Sequence, residues 1–270
     1  MIGLVTVNYN QYQLTREFLD SLAKIKHSEK TTVFISDVSS KKEGFKIDKY
    51  PMKVVLKQLP NKGYAFGINE GVKYFIKNKI NQFCAINNDI IFEKNFLIEA
   101  EKGFKKYDVF GGKIYYALGY EYHKKYKKSD IGKVIWYAGG IDDWKNCFTY
   151  HRGVNEVDNS QYEKEEQTDF ITGCMFFFNK KVVEKVGFWD EKYFLYYEDT
   201  DYCERIKRKG FKLMYLPKII IWHKNAQSTS GSGSLLHQKY QRKNRLIFGL
   251  KYAPLRTKIH LIKNYIFGKL

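Results

Sequence analysis

The 270-residue sequence predicts an α/β protein with a mostly parallel central sheet and helices on both faces. Three observations lead there. The chain opens on a β-branched apolar run without alternation, Ile2 to Val7, the pattern of a strand buried on both faces. Strand-length apolar runs then alternate with segments of helical period as far as Ile86, which is the arrangement of βαβ units joined by right-handed crossovers. Finally, polar residues stand just after the first, second and fourth strands: Asn8, Asp37 and Asp89. In such sheets, ligands bind at the carboxyl ends of the strands.

Each element follows from local pattern. Ile2 to Val7 is the central strand, and Leu14, Phe18, Leu22 and Ile25 recur at helical spacing behind Asn10, a candidate cap. Thr32 to Ser36 and Lys53 to Leu56 read as strands, Ile68, Val72, Phe75 and Ile76 as one face of a second helix, and Phe83 to Ile86 as a fourth strand. Tyr115 to Lys133 is rich in Tyr and Lys without a period and reads as an exposed loop. Asp169 to Phe178 resumes as an apolar strand, Lys180 to Val186 is a short helix ending at Gly187, and Thr200 to Lys209 is a helix closed by Gly210. Phe211 to Leu216 and Ile219 to Trp222 read as the last strands. Ser228 to Ser234 is linker-like and separates them from a basic helical tail.

Composition narrows the function classes. Apolar residues make up 44% of the chain and aromatics 17%, enough for one substantial core and against wholesale disorder. The four cysteines, Cys84, Cys147, Cys174 and Cys203, show no zinc or redox spacing, which fits a reducing compartment. No leader pattern and no apolar run of membrane-spanning length is present, so a cytoplasmic or peripheral location is expected. The formal net charge of +18 is unevenly placed: no acidic residue follows Glu204, and 16 of the 47 Lys and Arg lie from Arg205 onward. The body before that point is nearly neutral, which argues against a nucleic-acid-binding role for the whole chain.

Three groups of residues are suited to chemistry. Asn87-Asn88-Asp89 ends an apolar strand, where one carboxylate in an open site can hold a hard cation that also bridges phosphates; Asn and Asp are also ordinary strand-end residues. Glu198, Asp199 and Asp201 crowd the start of a helix, where the dipole stabilises acids; the aromatic stretch Phe188 to Leu195 before them supplies the surroundings that raise a general base's proton affinity. His223 follows Ile219 to Trp222 at another strand end, and imidazole suits a transition-series ion better than magnesium.

The order of these segments carries a resemblance. Val5-Thr6-Val7-Asn8-Tyr9-Asn10 looks like the opening strand of family 2 glycosyltransferases. Asn61-Lys62-Gly63-Tyr64-Ala65-Phe66-Gly67-Ile68-Asn69-Glu70-Gly71 is similar to their Asn-x-Gly-(Phe/Tyr)-(Ala/Gly)-x-Gly-x-Asn-x-Gly segment. Asn87-Asn88-Asp89 stands where the family has Asp-x-Asp. Asp169-Phe170-Ile171-Thr172-Gly173-Cys174, Gly187-Phe188-Trp189-Asp190-Glu191, Tyr197-Glu198-Asp199-Thr200-Asp201 with Arg205, Gly210 and Pro217, and Trp222-His223 then follow the order of the rhamnosyltransferase-like branch. The similarity covers roughly residues 1 to 250.

The resemblance implies a Rossmann-like GT-A fold over residues 1–225, with a nucleotide-binding half (1–89) and an acceptor-binding half (90–225). Residues 226–270 would be a flexible segment and a basic helical extension. It also implies an inverting, metal-dependent transfer from a UDP-sugar or dTDP-rhamnose to a bacterial surface glycan or a lipid-linked glycan. Asp199 would be the catalytic base, and Asp89 and His223 would bind Mn2+ or Mg2+. Thr6, Asn8, Asp37, Gly63, Asn69, Asn88 and Thr172 would lie on the donor side, Asp37 at the nucleobase. Trp189, Asp190 and Glu198 would lie by the acceptor. Two positions depart from the family pattern: Asn87 replaces the first metal acid, and Val38 replaces the usual Asn after Asp37. They motivate the alternative of a non-catalytic carbohydrate-binding or regulatory protein on the same fold. In the tail, Leu255, Ile259, Ile262, Ile266 and Leu270 share one helical face among basic residues, which suits an anionic membrane surface, or packing on the domain.

Overall fold

The computed structural model describes residues 1–44, 46–121, 124–225 and 235–267. Strands β1 (Ile2–Asn8), β2 (Thr31–Asp37), β3 (Lys53–Gln58) and β4 (Gln82–Ile86) alternate with helices α1 (Tyr12–Ala23) and α2 (Tyr64–Lys77). Next come β5 (Ile90–Phe92), α3 (Phe96–Lys106), β6 (Val109–Tyr116), β7 (Ile135–Tyr137), β8 (Gly140–Asp143), β9 (Phe148–His151) and β10 (Glu166–Gln167). The chain continues through β11 (Met175–Asn179), α4 (Lys180–Val186), α5 (Glu198–Arg208), β12 (Met214–His223), α6 (Leu235–Tyr252) and α7 (Leu255–Ile266).

One sheet runs in the order β10-β12-β6-β11-β4-β1-β2-β3, with β5 added to β12 and β7 to β6, while β8 and β9 pair separately. Pairing is parallel between β1 and β2, β1 and β4, β2 and β3, and β6 and β12. Strand β11 is antiparallel to both its neighbours. The alternation of side chains along β11 shows how both faces are covered. Phe177 packs with Phe96 and Phe104 of α3, whereas Phe176 and Phe178 pack with Trp189 and with Tyr202 of α5. Helix α2 lies unusually close to β1, because a side chain at Gly71 would come within 2.3 Å of Val5 and one at Gly67 within 2.6 Å of Val7. The Gly-x-x-x-Gly spacing of α2 is therefore a packing device.

Several elements differ from the sequence expectation. Asn10 does not cap α1: it sits at φ 55°, and the Asn8 side chain accepts from the Gln11 amide instead. The strand expected from Asp169 begins only at Met175. Before it, the backbone turns toward α5, and Ile171 and Gly173 donate to Cys203 Sγ and Asp199. The two strands expected after Gly210 are one strand, β12, with an irregularity between Leu216 and Ile220 around Pro217, which cannot donate to the ladder. Tyr115 and Tyr116 belong to β6 and not to a loop.

The basic tail forms α6 and α7, and it is docked. Phe248, Ala253 and Leu261 share a small core with Cys147, Tyr193 and Tyr197. The buried face of α7 is Thr257 and Leu261; Leu255, Ile259, Ile262 and Ile266 of the expected stripe are exposed. Ser228 to Ser234 and Leu270 lie outside the described residues. All four cysteines are buried as free thiols.

Candidate active site

Strand pairing brings together two polar residues far apart in sequence. Strand β5 runs antiparallel to β12 with Ile90 opposite His223, so Asp89, immediately before β5, meets the end of β12. The Asp89 Oδ1 to His223 Nε2 separation is 3.1 Å, and both residues are buried. Asp89 Oδ1 lies within ion-pair distance yet has no hydrogen-bond partner of good geometry among the described residues. Burial works against both charged forms. The opposite charge more than compensates at Asp89, whose pKa is held below the usual carboxylate range, and at His223, where Cys174 and Asp89 together raise the imidazole pKa well above its usual value. Asn87 reaches the same ring at 3.5 Å, and Trp136 packs edge-on against it. One carboxylate, one imidazole and an amide could together hold a divalent ion in an open site, where the ion would keep positions for phosphate and water oxygens. No group of three or more His, Cys, Asp or Glu able to hold a metal occurs among the described residues, so a closed protein cage is not available.

Three acids open α5, and their surroundings differ. Asp201 is fully buried and bound to Arg205 at 2.7 Å, Lys251 at 2.7 Å and Tyr252 at 2.8 Å, which makes it a structural anchor. Glu198 is buried with no hydrogen-bond partner for Oε2 among the described residues, and burial, reinforced by Asp199, pushes its pKa well above the usual range. Asp199 accepts from the Gly173 amide and the Thr200 amide, each at 2.8 Å. Burial raises its pKa as well, but these two donors offset part of the rise. Of this buried pair, Asp199 is the one with donors to support a negative charge, and Glu198 has none at Oε2 among the described residues. The Gly173 amide is itself fixed, because its carbonyl accepts from Tyr64 at 2.8 Å.

The backbone entering α5 is strained. Tyr196 and Tyr197 both lie in the left-handed region, at φ 67° and 71°. A non-glycine residue there costs on the order of 1–3 kcal/mol, so the surrounding contacts must hold the turn. Tyr197 donates its hydroxyl to the Cys147 carbonyl at 2.8 Å, and the Asn244 amide reaches the carbonyls of Leu195 and Tyr196.

Asp89, His223, Asn87, Thr172, Glu198 and Asp199 all line one cavity of about 570 Å³. Its walls also include Trp136, Phe148, His151 and Phe170 from the middle of the chain, and His237 and Gln241 from α6. Sequence reasoning missed Trp136, His151, His237 and Gln241 as site residues: Trp136 lies within β7, His151 ends β9, which is not an apolar run, and His237 and Gln241 stand on α6, so none carries the apolar-run signal that found Asp89 and His223. Burial lowers the His151 pKa to about 4, so this ring is neutral against the Trp136 carbonyl at 3.1 Å.

The other expected residues have different neighbours. Asp37 is fully buried and accepts from Asn8, Ser39, Tyr12 and Gln58, tying the ends of β1, β2 and β3 together. Asn88 donates to Thr15, and the Thr6 hydroxyl is buried without a hydrogen-bond partner among the described residues. Gly63, at φ 98°, lies against the Phe194 backbone, where a side chain would come within 2.2 Å of the carbonyl oxygen. Asn69 clamps Trp189, accepting from its amide at 3.0 Å and donating to its carbonyl at 2.9 Å. Trp189 is a core residue stacked on Tyr202, and Asp190 faces Lys251; neither lines the cavity.

Comparison with known proteins bears on the family and the fold. Part of the chain is 31% identical over 98 residues to the N-acetylglucosaminyl-diphospho-decaprenol L-rhamnosyltransferase of Mycobacterium tuberculosis, a match spanning 34% of this chain and 32% of that protein. Among solved structures, GalNAc-T7 with UDP, GalNAc and Mn2+ superposes with a TM-score of 0.65 at 16% identity, over 90% of this chain and 47% of that one. The TarS protein of S. aureus gives 0.56 at 12% identity, over 98% of this chain and 42% of the other. A mannosyltransferase from Pyrobaculum calidifontis in complex with GDP-Man and Mn2+ gives 0.55 at 11% identity, over 98% and 69%. At these identities the structural likeness establishes the fold, which is GT-A. The family model described as "Glycosyltransferase like family 2" matches residues 2–249, nearly the whole chain, and the chain belongs to that family.

Proposed function

We propose that this chain is an inverting, metal-assisted glycosyltransferase that moves a sugar from a nucleotide diphosphate to a hydroxyl of a lipid-linked glycan. The observation that carries the reading is the shared cavity: a carboxylate held by two amides, Asp199, faces the same space as the Asp89 and His223 pair. The acceptor hydroxyl oxygen attacks the anomeric carbon, the bond from that carbon to the diphosphate breaks, and the hydroxyl proton passes to Asp199. Attack from the face opposite the leaving group inverts the anomeric configuration. Asp89 and His223 would hold a divalent ion, which when bound supplies Lewis-acid stabilisation of the departing diphosphate. Thr172 and Gly173 form the wall beside Asp199, and the neutral His151 and Trp136 offer an uncharged, aromatic surface suited to a sugar ring. The rhamnosyltransferase relative favours a rhamnosyl donor, dTDP-rhamnose in this reading, and a polyprenyl-diphosphate glycan as acceptor, and the UDP complex of GalNAc-T7 keeps a UDP-sugar as the other donor.

The same reading includes association with the membrane that carries such an acceptor. No described helix is long and apolar enough to cross a membrane. Helix α7 instead exposes Leu255, Ile259, Ile262 and Ile266 beside Arg256 and Lys263, a combination suited to lying in an anionic interface on the cytoplasmic side.

A screen of nucleotide sugars for diphosphate release, with Mn2+, with Mg2+ and with excess chelator, tests the reaction. The expected result is release from one donor class, at least as fast with Mn2+ as with Mg2+ and abolished by chelator. No release from any donor would leave the non-catalytic, carbohydrate-binding alternative, and full activity in chelator would remove the metal.

A further inference from the structure

We infer that Asn244, on the C-terminal helix α6, is a positioning residue for the catalytic base. The inference rests on the reading of Asp199 as that base. Asn244 is fully buried, yet it is surrounded by a helix that is otherwise half exposed and basic. Its side-chain amide donates to the Leu195 carbonyl at 2.8 Å and to the Tyr196 carbonyl at 2.9 Å. Those carbonyls belong to the turn in which Tyr196 and Tyr197 stand at positive φ and lead directly into Glu198 and Asp199.

The geometry is specific to an amide. Two carbonyl oxygens converge on one point, and a side-chain NH2 group is the neutral group that offers two hydrogens from a single atom. The opposite end of the same side chain, Oδ1, is buried without a hydrogen-bond partner among the described residues. The side chain therefore acts here through its NH2 group, which makes both contacts to the turn. Its two donor contacts hold a turn that would otherwise relax toward negative φ. Relaxation there would rotate the first turn of α5 and withdraw Asp199 from the Gly173 amide. Asn244 thus reaches the reaction through the backbone of residues 195 to 197, and the tail supplies part of the catalytic architecture. Helix α6 also contributes His237 and Gln241 to the same cavity.

The test compares Asn244→Ala with the parent, with Asp199→Asn and with Arg242→Ala. Arg242 binds the Tyr265 carbonyl at 2.8 Å, so its loss loosens α7 from α6 without touching the turn. Turnover is measured with the donor that the parent uses, and calorimetry with UDP or dTDP and Mn2+ counts nucleotide-binding sites. The expected outcome for Asn244→Ala is a kcat at least tenfold lower, with donor KM and binding stoichiometry within twofold of the parent, while Arg242→Ala retains its kcat. A kcat within twofold of the parent overturns the inference, and so does a loss of binding sites in proportion to the loss of turnover. If Asn244→Ala does not fold, Asn244→Asp decides. Its carboxylate repels both carbonyls when ionised and can donate to one when protonated, so its turnover relative to the parent should rise as pH falls from 8 to 6. A flat ratio overturns the inference. Failure of the base assignment itself is separate, because it would show as normal turnover in Asp199→Asn.

Discussion

A carboxylate taken out of water keeps its proton unless donors hold its charge, and α5 begins with carboxylates of both kinds. Asp199 has two backbone donors and faces the cavity; Glu198 has an oxygen with no hydrogen-bond partner among the described residues. Replacing Asp199 by Asn should lower kcat by roughly 10²–10⁴-fold, the contribution of a general base, with donor affinity by calorimetry unchanged. Turnover within a few-fold of the parent would remove Asp199 from the mechanism. Glu198 gives a prediction about stability. Its folded pKa is raised, so the stability linked to its proton is complete below the unfolded carboxylate range and is lost as pH rises through the folded value. Glu198→Gln, which keeps a neutral group there at every pH, should therefore raise Tm over the parent by an increment that is larger at pH 9 than at pH 5. An increment independent of pH would show that Glu198 is not protonated in the fold. The sequence could point to three acids at a helix start and could not choose among them. The choice depends on Gly173, Thr200, Arg205 and Lys251, and only two of these are neighbours in sequence. Asp89 and His223 were legible as strand-end residues, but their meeting depends on β5 pairing with β12, a contact across more than 130 residues.

Strands buried on both faces announce themselves as unbroken apolar runs, which is why β1, β2 and β4 were legible, and α2 was legible from its single apolar face. Strand β6 was not, although it lies in the middle of the sheet. Its sequence, VFGGKIYY, interrupts the apolar run with two glycines and a lysine. Gly112 is required because β12 passes so close that a side chain would come within 2.1 Å of the Ile219 carbonyl. Lys113 is almost completely buried and is held by Asp158 at 2.7 Å and by Glu163. A charge in a strand reads as exposure unless its partner is known, and these partners lie 45 and 50 residues away. The pair ties the irregular segment around residues 158–163 to the sheet. Lys113→Ala should therefore lower the unfolding free energy by about 3 kcal/mol, since it leaves the mostly buried Asp158 without its cation. Urea unfolding measures this, and a loss below about 0.5 kcal/mol would mean that the segment is held by other contacts.

Over the whole molecule, charge and apolar exposure are both concentrated at the C-terminal end. Every acidic residue precedes Arg205, so α6 and α7 carry cations that no acid of their own helices neutralises. Helix α7 buries only Thr257 and Leu261, against α6, and leaves Leu255 74% and Ile266 71% exposed. The stripe of apolar residues therefore does not form the packing face, which removes the simplest structural reason for it. In the proposed membrane role, each cation near an anionic surface contributes on the order of 1 kcal/mol, and the apolar stripe adds about 25 cal/mol for each Å² it withdraws from water. Neither part alone is large, so the two should act together. Ile259→Glu combined with Ile262→Glu places acids on an already exposed face, and should leave Tm and diphosphate release from a soluble donor unchanged. Co-sedimentation with vesicles containing anionic phosphatidylglycerol should fall at least tenfold in the double variant. For the parent it should weaken as salt is raised, because screening shortens the reach of the charges. Equal sedimentation of parent and double variant would show that α7 does not hold the enzyme to the membrane. Parent binding that is insensitive to salt would show that the C-terminal charge has some other use.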